Sequence, residues 1–178
     1  MEEKKQGAKL FNELVAGKMN ELSVYQAAKN ILACNDYTGN YLLTLTEKEA
    51  YEIVEHKNES LKENGLIEIK GGVVPLIIDN FCDSAYVDNH NYASLLRCFS
   101  TAFMTIRKAI PADGASDEEI LSCMRADFDE YCSGDITCFE QVSVPFIIKF
   151  YNFRNSLNNY KHSPEWLNPG MSEEVLYE

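Results

Sequence analysis

The sequence predicts a mainly α fold, a single-domain bundle of about six helices, and three features carry that prediction. Two capping boxes, Thr46-Glu47-Lys48-Glu49 and Ser116-Asp117-Glu118-Glu119, each open a run of apolar residues at helical spacing. A third run, Tyr92, Leu95, Leu96, Phe99, Ala102, Phe103 and Ile106, forms a wide stripe of the same period. Only LIEIK, residues 66–70, alternates in the manner of a strand. A lone strand has nothing to pair with, so at most a minor short strand or hairpin is expected there.

The elements follow in order. Leu10, Phe11, Leu14 and Val15 predict a first helix, and Ser23 is expected to cap a second that runs to about Ala33. NDYTGNYLLT, residues 35–44, reads as a loop, with Gly39 and Asn40 as turn residues. Beyond the Thr46 cap, Ala50, Ile53, Val54, Lys57 and Leu61 share one face, and Gly65 supplies the stop. Val73 to Phe81 reads as a buried helix that tolerates Pro75 in its first turn. A central helix is expected from Asp88 to about Ala109, followed by a break at Pro111–Gly114. The Ser116 helix places Ile120, Leu121, Met124 and Phe128 on one side, and Gly134 ends it. A last helix is expected to start near Ser143, with Pro145 in its first turn and Phe146, Ile147, Phe150, Arg154 and Leu157 along it. Residues 1–162 thus read as a single helical domain. Residues 163–178, with two prolines and several acids, read as an irregular acidic C-terminal tail that Trp166 pins in part.

Composition narrows the function. With 178 residues, 46% of them hydrophobic and nineteen of them Phe or Tyr, the chain has ample material for a core. Its formal net charge of −12 repels a phosphate backbone, so no nucleic acid is expected as a partner. The start, MEEKKQGAKLFNELVAG, has no apolar signal region, and the longest apolar runs are VVPLII and VPFII, far short of a bilayer span. The expectation is a cytoplasmic protein with no membrane association. Six cysteines stand at 34, 82, 98, 123, 132 and 138 without a CxxC spacing. In a reducing compartment they are expected to be structural thiols.

One stretch crowds reactive residue types together: DNFCDSAYVDNHNY, Asp79 to Tyr92. A thiol cleft there would need Cys82 beside His90, with a group such as Asp83 to orient the ring. A corner explains more of the same residues: Phe81 and Cys82 finish one helix, Asp83-Ser84 turns, and Asp88 or Asn89 caps the next. The corner is the favoured reading, and Cys82, Asp83 and His90 are the catalytic candidates to test. RADFDEYCSGDITCFE, residues 125–140, has the look of a calcium loop. Counted from Asp127, however, the Gly and Glu positions are occupied by Cys132 and Cys138, so the pattern fails. Those two cysteines flank Gly134, and a redox pair is conceivable there. No phosphate-loop, zinc-protease, nucleophile-elbow or metal-ligand spacing is present, so no cofactor and no metal are expected.

One pattern goes further: Asn58, Glu59, Leu61, Lys62 and Gly65, then Gly71-Gly72, then Phe81-Cys82-Asp83-Ser84 and Tyr86. From about Val24 to Cys138 the chain resembles an uncharacterised bacterial family of small proteins, a domain of unknown function. The proline usual after the serine is here Ala85. The resemblance implies a bacterial cytoplasmic origin and supplies no activity, cofactor or catalytic residue. The resulting expectation is a non-enzymatic, acidic, helical protein that works through a protein partner, with a homodimer possible. A small enzyme at the Cys82/Asp83/His90 corner is the alternative, and an acidic mimic of nucleic acid a third.

Overall fold

A computed structural model describes residues 21–67 and 72–161, with side chains to residue 157. It is mainly α, 77% helical, with six principal helices and no strand among the described residues. These are α1 (described over 21–33), α2 (Glu47–Asn64), α3 (Val73–Phe81), α4 (Tyr92–Ala109), α5 (Asp117–Ala126) and α6 (Val144–Lys161). Leu66 and Ile67 are not strand, and 68–71 fall outside the described residues. The expected first helix around Leu10–Val15 and the tail 163–178 fall outside them as well.

Both capping boxes form. Thr46 Oγ1 accepts from the Glu49 N–H while the Glu49 carboxylate accepts from the Thr46 N–H at 2.8 Å, and Ser116 and Glu119 repeat the exchange. Such a box satisfies two of the four free N–H groups at a helix start. Gly65 closes α2 at φ 65°, a left-handed conformation that costs an L side chain but not glycine. The stripe Ala50, Ile53, Val54, Lys57 and Leu61 is buried, as its spacing predicts.

α4 is the central helix and packs against α2, α3, α5 and α6. Its Phe99 stacks on Phe81 of α3 with ring centroids 4.0 Å apart. Phe128 and Phe139 then close on Phe99 edge to face, at 4.9 and 5.6 Å. This four-ring cluster joins α3, α4 and the two segments that flank the α5–α6 turn. Edge-to-face pairs add about 0.5–1.5 kcal/mol each beyond burial, so the cluster anchors the bundle.

Four expectations need correction. The chain is already helical at Glu21, so Ser23 lies inside α1 and is not its cap. Residues 35–44 are not an open loop: Asn35–Thr38 makes a helical turn and Gly39–Tyr41 a 3₁₀ turn, and the left-handed residue is Leu42, at φ 61°. The reason is side-chain bonding that composition hides. The Asn35 amide donates to the Leu45 carbonyl and accepts from its N–H, both at 2.9 Å, and the buried Thr38 hydroxyl bonds the Leu43 carbonyl. α4 begins at Tyr92, one turn after Asp88, whose carboxylate instead accepts from the N–H groups of His90 and Asn91.

The fourth correction concerns the last helix, which begins well before Ser143. Asp135 caps Ile136–Cys138, a wide π-turn spans Phe139–Ser143, and α6 continues from Val144 without a break. Proline lacks an N–H and crowds the carbonyl four residues earlier. The wide turn just before Pro145 relieves that clash, so the proline sits inside a continuing helix. α5 extends through a π-turn of its own, Asp127–Tyr131.

Candidate functional site

The Asp79–Tyr92 corner is tied to α5 by one arginine. Arg125 donates Nη1 to the Asp83 carboxylate at 2.6 Å and to the Asn80 carbonyl, and Nε to Asp129 at 2.5 Å. The other Asp129 oxygen accepts from the Ser84 hydroxyl at 2.6 Å. The Arg125 guanidinium also lies over the Phe81 ring, 5.9 Å from its centroid. Tyr86 packs edge-on against Phe128 and covers Gly134. A Cβ at Gly134 would meet Tyr86 ring atoms at 2.5 Å, and Gly134 has φ 79°. Phe81, Asp83, Ser84 and Tyr86 are therefore four points of one latch between the α3–α4 corner and the end of α5.

Two of the three catalytic candidates, Cys82 and Asp83, are bonded elsewhere. Cys82 is buried and its thiol donates to the Asp79 carbonyl at 3.7 Å. Burial, then the nearby Asp83 and Asp79 carboxylates, pushes the thiol above its ordinary 9.0. That opposes activation, since the thiolate is the nucleophile. The hydrogen bond from Arg125 holds Asp83 below the ordinary 3.8. His90 is exposed on the turn, where its backbone N–H donates to the Asp88 carboxylate. Asn89 reaches the other way and accepts from the Thr44 N–H.

The second cluster lies between the two π-turns. Ser133 at φ 51° and Gly134 at φ 79° reverse the chain, and the Sγ atoms of Cys132 and Cys138 come within 2.8 Å. Cys132 is buried and also lies 3.3 Å from the Ser143 hydroxyl. The hydrogen bond with Cys132, with burial second, pushes the Cys138 thiol up to about 11. Burial raises the Asp127 carboxyl above its ordinary 3.8, against the lowering effect of the nearby Ser143 hydroxyl. Asp127, Tyr131, Val142, Ser143 and Phe146 line a cavity of about 190 Å³ beside the thiols. Among the described residues no group of three or more metal-binding side chains converges.

The third feature is on α6. Ile147 and Tyr151 face inward, while Phe146, Phe150, Phe153 and Leu157 are exposed. Tyr131 and Val142 extend this apolar face toward the cavity.

Sequence reasoning reached Cys132, Cys138 and the corner, but it missed Arg125 as the hub and Ser143 as a thiol neighbour. Arg125 and Asp129 stand four apart on a helix, a spacing that signals an ion pair. The contact with Asp83, forty-two residues away, has no local signal.

Among the described residues, no helix is long and apolar enough to cross a membrane. Comparison with curated proteins and with solved structures finds no match. A family model does match, over residues 30–159, and so spans the latch, the paired thiols and nearly all of α6. It reaches further toward the C-terminus than the resemblance seen in the sequence, and by it the chain belongs to a Family of unknown function (DUF6323).

Proposed function

We propose that this chain is a non-catalytic helical protein that works through protein–protein contact, and that the outer face of α6 binds a second copy of the chain. The observation that carries the reading is the exposed stripe Phe146, Phe150, Phe153 and Leu157, with exposures of 57, 46, 65 and 45%. Single exposed apolar residues are ordinary, but a contiguous aromatic stripe is not. Taking roughly 200 Å² for an open aromatic side chain, the stripe with Tyr131 and Val142 offers about 600 Å². Two copies would then bury about 1,200 Å², the lower end of what specific protein interfaces use.

Two further facts favour a second copy as the occupant. The stripe advances by four, three and four residues, a spacing that reads the same in both directions. An antiparallel pair about a two-fold axis therefore sets Phe150 against Phe153 and Phe146 against Leu157. Charge points the same way. The chain carries 28 acidic residues, yet none lies between Gln141 and Pro164, so α6 itself adds no negative charge where two copies of net charge −12 would meet. Arg154 is already engaged by Glu119 at 3.0 Å, which softens its approach to Lys149 of a second copy. The thiol-cleft alternative has less behind it, because Cys82 is buried with a raised pKa and Asp83 is committed to Arg125.

The test is sedimentation equilibrium across protein concentration. The wild type is expected to dimerise with a Kd on the order of micromolar, given an interface at the small end of the range. Phe150→Glu and Phe153→Glu, both on an open face, are expected to leave a folded monomer with unchanged circular dichroism. A wild type that stays monomeric far above that range, or a dimer indifferent to both substitutions, defeats the reading.

A further inference from the structure

We propose that Cys132 and Cys138 are an oxidative modification site, at which a low-molecular-mass disulfide converts the two thiols reversibly into an intramolecular Cys132–Cys138 disulfide. The observation is the meeting of the two sulfurs, 2.8 Å apart, across a turn built for that approach. Ser133 and Gly134 both adopt left-handed backbone, which for a serine is uncommon and carries a conformational cost. Three things hold the turn in place: the Gly134 N–H bonds the Phe128 carbonyl at 2.9 Å, the Asp135 N–H bonds that of Cys132 at 2.9 Å, and Tyr86 packs over Gly134. Asp135 then caps the helical turn that presents Cys138. A six-residue separation alone brings no two thiols together; these backbone constraints do.

The remaining four cysteines set the contrast. Cys34 and Cys82 are buried and donate to backbone carbonyls, and burial raises the half-buried Cys98 and Cys123 thiols. Only for Cys132 and Cys138, among the described residues, is a thiol bonded to another thiol. The pair also has unequal access: Cys132 is buried, whereas Cys138 is only partly so. This asymmetry gives the two sulfurs different roles in exchange.

The chemistry runs in two displacements. Cys138 loses its proton and its sulfur attacks one sulfur of the small disulfide; that S–S bond breaks, and one small thiolate leaves and takes up a proton. Cys132 then loses its proton and its sulfur attacks the Cys138 sulfur of the mixed disulfide, releasing the second small thiol. Two protein thiols are oxidised by two electrons, and one small disulfide is reduced to two thiols. Because the hydrogen bond with Cys132 pushes Cys138 up to about 11, little thiolate exists at neutral pH. The exchange is therefore slow near neutrality and climbs with pH. The pair would respond to sustained oxidation and not to brief pulses.

The site can be read on one peptide. Cleavage after Arg125 and Lys149 releases residues 126–149, which contain Cys132 and Cys138 and no other cysteine. The full-length protein is incubated with glutathione disulfide, free thiols are alkylated, and the digest is weighed. The expected product is peptide 126–149 lighter by two hydrogen atoms and without alkyl label, restored to two labels after dithiothreitol. Its rate of formation should rise close to tenfold per pH unit between about pH 7 and pH 10. Cys132→Ser is expected to trap glutathione on Cys138, and Cys138→Ser to leave the peptide unmodified and alkylated only after unfolding. A wild-type peptide that keeps glutathione as a stable adduct, or that remains fully alkylated throughout, overturns the proposal. The outcome is independent of whether α6 binds a second copy, which the sedimentation experiment reads separately.

Discussion

At the Asp79–Tyr92 corner Asp83 and Ser84, the neighbours that follow Cys82, are already bonded to Arg125 and Asp129, whereas at the Cys132–Cys138 turn the thiols face each other. Both stretches look reactive by residue type. The first is absorbed by Arg125, which gathers Asp83, Asp129 and the Asn80 carbonyl, while the buried Cys82 thiol donates to a backbone carbonyl. The second is brought about by backbone geometry at Ser133 and Gly134. The difference shows that reactive composition becomes a site only when no neighbour has consumed it. The two regions also share a border: Tyr86 of the corner covers Gly134 of the turn.

That border is where the comparison breaks most severely. Gly134→Ala forces a Cβ into the Tyr86 ring and puts an L side chain at φ 79°. The expected loss is about 2–4 kcal/mol, seen as a lower urea midpoint at unchanged slope. Both corners are expected to fail together, with Cys82 and Cys132 alkylating faster in the variant. A loss confined to the thiol turn would show that Tyr86 is not the bridge between them.

How much of this was legible in the sequence depended on whether the deciding contact was local. The Thr46 and Ser116 boxes, the α2 stripe and the α4 core face were readable because each rests on residues within a turn or two of one another. The Gly65 stop was readable for the same reason. The helical turn at Asn35–Thr38 was not, because it relies on Asn35 bonding both backbone groups of Leu45. The early start of the last helix was hidden by Pro145, which reads as a first-turn residue unless a π-turn precedes it. At the candidate sites, the Cys132–Cys138 pair was visible as a spacing, but its closeness depends on left-handed Ser133, which nothing in the composition announces. The outward direction of Phe146, Phe150 and Phe153 was equally hidden: α6 is apolar on both sides, and only packing decides which side the core takes.

Removing the hub probes the corner alone. Arg125→Met keeps most of the stem that covers Phe81 but leaves Asp83 and Asp129 without their cation. Asp129 is the more buried of the two, with its side chain 23% exposed, so it dominates the cost. The expected destabilisation is about 1–2 kcal/mol, below that of a fully buried pair because water still reaches both acids. The pH dependence sharpens the assignment. Asp83 is held below its ordinary 3.8 when folded, so its contribution is full above that value and is lost as the pH falls through the lower folded value. Glu49 and Glu119 are lowered as well, through the Thr46 and Arg154 hydrogen bonds respectively, and follow the same sign. The gap between wild type and Arg125→Met should therefore narrow by the Asp83 contribution as the solution is acidified below about pH 4. A gap unchanged by acid would remove Asp83 from the account of the loss.

The smallest expected effect is at Cys82 itself. Cys82→Ala removes a buried sulfur that behaves as a small apolar group, and the stability change should stay within about 1 kcal/mol. The sharper measurement is reactivity. Peptide 71–97 contains Cys82 and no other cysteine, so its rate of alkylation by iodoacetamide can be followed against pH in the folded protein. Burial and the Asp83 and Asp79 carboxylates raise this thiol, so the rate should still be climbing at pH 9. In Arg125→Met it should fall further, because the Arg125 cation that lowers the thiol is gone while both carboxylates remain. A rate that levels off below about pH 8 would mean an activated thiolate at the corner, and the contrast between the two cysteine regions would then collapse.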